Sequence, residues 1–237
     1  MKNKIITAKE AVAGLRDGMT VFMGGFLATG SPEVLIDAVL ETGVKNLTVV
    51  GNDGGLPVGA YGATKARGIC RLVDAGVVSH LVASHVGMTP IVAEKVNAGE
   101  MKLTLVPQGT LAEKIRAAAY GLGGVLTPTG VGTPVQDALD ELGREKKVME
   151  INGKKYLFEM PFHGDYSLIR PSVADKFGNY YCAKATKNFN YVMAGASTHT
   201  IIAPEKIVEI NELDPDTYDV PGVLVDYIVE GEKKWQI

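Results

Sequence analysis

The feature that most constrains this chain is an alternation across its first 135 residues, where short apolar runs are each followed by a segment of helical period. The runs at 20–23, 47–50, 77–83 and 103–106 are rich in Val, Leu and Phe and too short for helices, so they read as buried strands. The segments between them carry helix punctuation. Thr7 with Glu10 three residues on forms a capping box, and that helix closes at Asp17-Gly18. Ser31 is placed to cap a second helix with Pro32 in its first turn. Further helices are expected over 90–97, ended by Gly99, and over 110–120, ended by Gly121. Buried strands alternating with helices imply βαβ units, whose crossover helices cover both faces of a parallel sheet. The expected fold is α/β, a three-layer α/β/α domain with a mostly parallel sheet.

The last hundred residues differ. Two alternating runs over 148–159 meet at Asn152-Gly153, a strong hairpin signal because both turn residues tolerate positive φ. An antiparallel hairpin addition is therefore expected in the C-terminal part. A strand over 167–173, a turn at Lys176-Phe177-Gly178-Asn179, a helix over 189–196 and a strand over 200–202 follow, with extended chain at 223–225 and 227–229. No repeat, low-complexity tract or long linker interrupts the sequence, so 1–237 reads as one domain, and 46% hydrophobic residues suffice for its core.

Composition narrows the function. With 24 Lys and Arg against 27 Asp and Glu, the net charge is −3, which supports neither nucleic acid nor an anionic membrane as main partner. The two cysteines, Cys70 and Cys182, form no C-x-x-C pair and read as small core residues in a reducing compartment. The N-terminus lacks a signal-peptide h-region, and no apolar run reaches the ~18–20 residues of a membrane span, so a soluble cytoplasmic protein is expected. His80, His85, His163 and His199 have no metal-ligand spacing, and no metal site is expected. There is no G-x-S-x-G elbow. Asp53, Asp74 and Asp165 have no companion at a telling spacing and read as cap or turn carboxylates.

Three segments are placed where chemistry can occur. The first runs from strand through Gly24-Gly25-Phe26 into a helix start. Adjacent glycines permit close backbone approach and leave N–H groups to face an anion, although a tight βα turn explains them equally. The spacing is neither G-x-G-x-x-G nor a P-loop. The second, Pro107-Gln108-Gly109-Thr110, lies where a strand ends and a helix begins, the edge at which open α/β sheets bind ligands. An amide there is either a loop cap or a donor to a developing oxyanion. Glu113, Lys114 and Arg116 after it read as a solvated helix face. The third, Thr127-Pro128-Thr129-Gly130-Val131-Gly132-Thr133, suits a loop beside a polar ligand or an ordinary surface turn.

Taken together these segments resemble the family I CoA-transferases. Residues 17–32 meet the N-terminal signature of Asp-Gly, an apolar triplet, Gly-Gly-Phe, three residues, Gly, one residue and Pro. Pro-Gln-Gly-Thr at 107–110, the Thr-Gly-x-Gly-Thr at 129–133, Asn52, residues 186–190 and residues 221–229 extend the likeness over almost the whole chain. The resemblance implies that Gln108 helps form an oxyanion hole, and that Gly24, Gly25, Phe26, Asn52, Gly109 and Gly130 border substrate and CoA. Two departures are Lys114, where the family usually has Arg, and Ala118-Ala119, where it has a glycine pair. In this family a glutamate in a Ser-Glu-Asn-Gly motif attacks the acyl-CoA thioester, and it sits on the β subunit or the C-terminal half. This chain has no such motif. Glu150-Ile151-Asn152-Gly153 is the nearest lookalike, and its Asn-Gly belongs to the hairpin. The resemblance therefore implies an α subunit that works with a β subunit, in an α2β2 assembly, on short acyl groups such as acetate, butyrate and acetoacetate. CoA enters as substrate and covalent intermediate, with no other cofactor. A 3-oxoacid or succinyl-type member, a sugar-phosphate isomerase on a similar fold and a non-catalytic acyl-CoA sensor remain as alternatives.

Overall fold

The structure, a computed structural model, describes residues 4–232; residues 1–3 and 233–237 of the expected 1–237 domain lie outside the described residues. In chain order the elements are α1 (Ala8–Ala11), β1 (Thr20–Met23), α2 (Glu33–Thr42), β2 (Leu47–Val50), α3 (Ile69–Asp74), β3 (Val78–Ala83), α4 (Pro90–Asn97), β4 (Lys102–Leu105), α5 (Gln108–Ala119) and β5 (Val125–Thr127). There follow α6 (Pro134–Asp137), β6 (Lys147–Ile151), β7 (Lys154–Glu159), β8 (Gly164–Ile169), β9 (Val173–Asp175), β10 (Tyr180–Tyr181), β11 (Ser197–Ile202), β12 (Lys206–Val208) and β13 (Tyr227–Ile228).

Seven strands form one sheet in the order β13-β11-β8-β1-β2-β3-β4, and every pairing in it is parallel. Side chains alternate between two buried faces. Val21, Val49, Leu81, Leu168 and Ile201 belong to one core. Their neighbours Phe22, Val50, Val82, Ile169 and Ile202 belong to the other. Leu35, Ile36 and Val39 of α2, Leu72 of α3 and Val92 of α4 cover the first face. Leu111, Ile115 and Ala118 of α5 cover the second, with residues from 180–228. This is the three-layer arrangement expected from strands hydrophobic on both faces. Each fully buried aliphatic side chain contributes about 1.5–3 kcal/mol.

The hairpin forms as expected. β6 and β7 pair antiparallel around Asn152 (φ 50) and Gly153 (φ 74), and β5 joins them in a separate sheet, β5-β7-β6. A second small sheet, β10-β9-β12, has no counterpart among the sequence expectations. The capping box is present: Glu10 N–H donates to Thr7 Oγ1 (3.2 Å) and Thr7 N–H to Glu10 Oε2 (2.9 Å).

Several local expectations are corrected. α1 ends at Ala11, well before Asp17-Gly18. α2 begins at Glu33 with Pro32 as cap and no side-chain cap bond, because Ser31 belongs to the preceding turn, its N–H donating to Ala28 O (3.1 Å). α5 begins two residues early, at Gln108. The strand expected over 167–173 ends at Ile169 and resumes in another sheet at Val173, with Pro171 between. The segment 189–196 consists of turns rather than helix, since Asn188 and Asn190 bond across to the glycine loop instead of continuing a ladder. Residues 222–224 make a single 3-10 turn. Among the described residues, no helix is long and apolar enough to cross a membrane.

Lys114 is the largest departure. It lies on the inward face of α5 and is fully buried, while Glu113 is exposed and pairs with the half-buried Arg116. Its Nζ meets Glu141 Oε2 at 2.9 Å and Glu159 Oε2 at 3.0 Å, and Lys146 Nζ meets Glu159 Oε1 at 3.1 Å. Two cations and two carboxylates thus balance in a buried cluster that fastens α5 to β7.

Candidate active site

In the large sheet, β1 is flanked by β2 on one side and β8 on the other, so the strand order reverses direction there. Crevices outside the carboxyl ends of strands at such a point are where open sheets bind ligands. The structure has a cavity of ≈ 580 Å³ at this place. Phe26 and Leu27 follow β1, Asn52 and Asp53 follow β2, Ser84 and His85 follow β3, and Gln108 follows β4; all seven line the cavity. Asn188, Phe189, Tyr191 and Val192 also line it. Met88, Tyr61 and Ala112 add apolar surface, and Tyr61 reaches toward Met88 Sδ at 3.8 Å.

Gln108 is the first residue of α5, solvent-exposed, and its side-chain amide has no hydrogen-bond partner among the described residues. An amide in that state is available to a ligand. Gly109 follows it on the helix. A Cβ there would meet nothing within 4 Å, so no neighbour in this chain requires glycine, and the helix start is left open to close approach.

The glycine loop works differently from the expectation that it presents free N–H groups. Gly24 N–H donates to Leu168 O (2.9 Å), and Gly25 N–H donates to Asn188 Oδ1 (3.2 Å). The glycines are there because side chains occupy the space of their missing Cβ atoms. A Cβ on Gly24 would lie 1.9 Å from Asn190 Oδ1, and one on Gly25, which has φ 125, would lie 2.5 Å from Ser31 Oγ. Asn190 is fully buried. Its Nδ2 donates to Gly30 O (2.9 Å) and its Oδ1 accepts from Arg170 N–H (3.0 Å). Asn188 Nδ2 donates to Thr29 O (2.9 Å). The motif at 186–190 is thus the clasp that fixes the glycine loop and shapes one wall of the cavity.

Of the residues expected at the site, Phe26, Asn52 and Gln108 line the cavity. Gly24, Gly25 and Gly109 adjoin lining residues without lining it themselves. Gly130 is not part of it: it lies in the turn after β5, packed against Val135 and Leu157. Ser84, His85 and Asp53 also line the cavity; no sequence motif marks them, although the strand-end rule points to each.

Among the described residues, the cavity lining contains no Lys, no Arg and no Glu, and Asp53 is its one carboxylate. Glu150 sits on the exposed strand β6, in the separate small sheet. The cysteines stay in the core as expected: burial pushes the Cys70 thiol up to about 11 and the Cys182 thiol higher still. Neither lines the cavity.

Comparison with known proteins accounts for this geometry. Residues 5–231 match the family described as Coenzyme A transferase. The acetate CoA-transferase subunit alpha of Escherichia coli is 40% identical over 233 residues, covering 98% of this chain and 99% of that one. The acetoacetyl-CoA:acetate/butyrate CoA transferase alpha subunit of Clostridium acetobutylicum is 40% identical over 97% of this chain and 99% of that one. The glutaconate coenzyme A-transferase of Acidaminococcus fermentans shares the fold with a TM-score of 0.80 at 22% identity, over 97% of this chain and 76% of that one. An acyl-CoA transferase of E. coli O157:H7 shares it at 0.79 and 23% identity; there this chain is covered to 97% and spans half of the longer chain. These matches displace the isomerase alternative. The chain belongs to the coenzyme A transferase family, and it corresponds end to end to members named as alpha subunits, which implies a beta subunit as partner.

Proposed function

We propose that this chain is the supporting half of an enzyme that moves CoA from a short monocarboxylic acyl-CoA to a second carboxylate, with the nucleophilic glutamate contributed by the β subunit. The carrying observation is the strand-end cavity, which, among the described residues, presents the unpartnered Gln108 amide and has no glutamate in its lining. The partner's glutamate attacks the thioester carbonyl carbon, and the tetrahedral oxyanion accepts a hydrogen bond from Gln108 Nε2. Collapse breaks the C–S bond and leaves a mixed anhydride and CoA thiolate. The thiolate then attacks the glutamyl carbonyl, releasing the first carboxylate and leaving a glutamyl-CoA thioester. An incoming carboxylate reverses the sequence. A carboxylate is a weak nucleophile toward a thioester, so donors set in place for the oxyanion carry much of the rate.

The exchange is redox-neutral and requires no cofactor beyond CoA itself. Gly109, with open space where its side chain would be, gives the CoA arm or the partner chain room to approach the start of α5. The described residues with which this chain lines the cavity include no Lys or Arg, which favours acyl groups that carry no second carboxylate, because this chain would offer a dicarboxylate the carboxylate of Asp53 and no cation. Among the relatives this agrees with the acetate and acetate/butyrate enzymes rather than with the succinyl-CoA:3-ketoacid enzyme of Helicobacter pylori, which is 38% identical. An α2β2 assembly acting in the cytoplasm, where acyl-CoA is made and used, completes the proposal. The test is CoA exchange by the purified α–β pair with acetate, butyrate, acetoacetate and succinate as acceptors. Monocarboxylates are expected to dominate; preference for succinate contradicts the reading of the pocket, and no exchange with any of them contradicts the transferase reading.

A further inference from the structure

The turn that carries Phe26 into the cavity is held in a conformation its own residues disfavour. Phe26 N–H donates to Thr29 O (3.0 Å) and Thr29 N–H to Phe26 O (2.8 Å), which closes a two-residue hairpin turn. Its central residues, Leu27 and Ala28, have φ 44 and 67. Two successive positive φ values suit Asn-Gly or Gly-Gly, because a Cβ in the left-handed region crowds the following carbonyl. Backbone strain of this kind persists where the surroundings over-determine it, and it gathers at functional sites.

Asp53 is the group that over-determines it. The residue is 5% exposed. Its Oδ2 accepts Leu27 N–H at 2.8 Å and Asn52 Nδ2 at 3.0 Å, and its Oδ1 accepts Gly55 N–H at 2.7 Å. One carboxylate therefore joins the loop after β2 to the turn after β1. Ala28 packs behind the turn against Leu56 and Ala63, while Phe26, 49% exposed, and Leu27 face the cavity.

We propose that Asp53 is a positioning residue for acyl transfer: its carboxylate holds the strained Phe26–Thr29 turn so that Phe26 and Leu27 form a preset wall beside the Gln108 amide. This rests on the transferase reading above. An asparagine at 53 has the same shape and one oxygen, so its amide N–H₂ would face either the Leu27 N–H and the Asn52 amide or the Gly55 N–H, and at least one tie is lost.

The test compares Asp53→Asn with wild type in the complete α–β complex. Misplacing a reacting group by about 1 Å costs up to 10²-fold in rate, so kcat is expected to fall about 10- to 100-fold. KM for acyl-CoA should change little, since the distant CoA contacts are untouched, and the melting temperature of the complex should fall by only a few degrees, as the loss of one buried hydrogen bond to a charge requires. Ala28→Gly, added to Asp53→Asn, lets the turn close without strain and should recover several-fold of the lost kcat. An Asp53→Asn complex within twofold of wild type overturns the inference. So does a parallel loss of melting temperature and kcat in which Ala28→Gly restores only the former, the behaviour of a purely structural residue. A wild-type pair with no exchange at all overturns the transferase reading, and this inference with it.

Discussion

Gly24 and Asn190 occupy each other's space, and that contact shows how finely the cavity wall is set. Gly24→Ala puts a methyl 1.9 Å from Asn190 Oδ1, and the displaced amide abandons Arg170 N–H and Gly30 O in a buried setting. Overpacking and lost buried hydrogen bonds together cost on the order of 3 kcal/mol, to be read as a lower urea midpoint. Gln108 has the opposite profile. It is exposed and has no partner among the described residues, so Gln108→Leu should leave stability unchanged, while under the proposed function kcat of the α–β pair falls about 10²–10³-fold, the usual loss for one oxyanion donor. Equal activity of the two would remove Gln108 from the mechanism. His80 gives a pH signature away from the site. Burial first, then nearby Lys102, lowers its imidazole from 6.5 to about 4, and its Nε2 lies 2.9 Å from Thr104 Oγ1. The unfolded chain therefore binds a proton between pH 6.5 and about 4 that the folded chain refuses. Stability falls as pH drops through that window and gains no further penalty from this group below it. His80→Gln should flatten that part of the stability profile relative to wild type; an unchanged profile contradicts the assignment.

At the scale of elements, α5 joins the reactive end of the site to the rest of the chain. Its first residue is Gln108, and its buried face carries Lys114 into contact with Glu141 and Glu159. Lys114→Met should destabilise the chain by about 3–5 kcal/mol, because it leaves two buried carboxylates with one cation, whereas Lys114→Arg should be milder. Thermal unfolding distinguishes them. The strands β1 to β4 were legible in the sequence because each is a short apolar run between helix punctuations, and the hairpin was legible because Asn152-Gly153 suits one turn type. The sheet β10-β9-β12 was not, since strands of two and three residues leave no periodic trace. Residues 189–196 misled for a different reason: the Asn side chains that break the helix are satisfied by a loop some 160 residues earlier, and no local pattern records that. Lys114 misled likewise, because a buried cation is recognisable only once Glu141 and Glu159 are brought to it.

For the whole molecule, one all-parallel sheet places the ends of β1, β2, β3 and β4 around a single cavity at the point where strand order reverses. Gln108, Asn52 and Phe26 were identifiable beforehand through motif likeness; their convergence with Asp53, Ser84 and His85 became visible only in the fold. That convergence supplies polar groups, an apolar wall and a held turn, and under the proposed function the nucleophile comes from the β subunit. The most direct measurement is to incubate acyl-CoA with this chain alone, with the β subunit alone and with the pair, and to follow CoA exchange and covalent attachment of CoA by intact-protein mass. The account predicts exchange by the pair only, with CoA attached to a β-subunit glutamate and none on this chain. CoA attached to a glutamate of this chain, or full exchange without the β subunit, would contradict it.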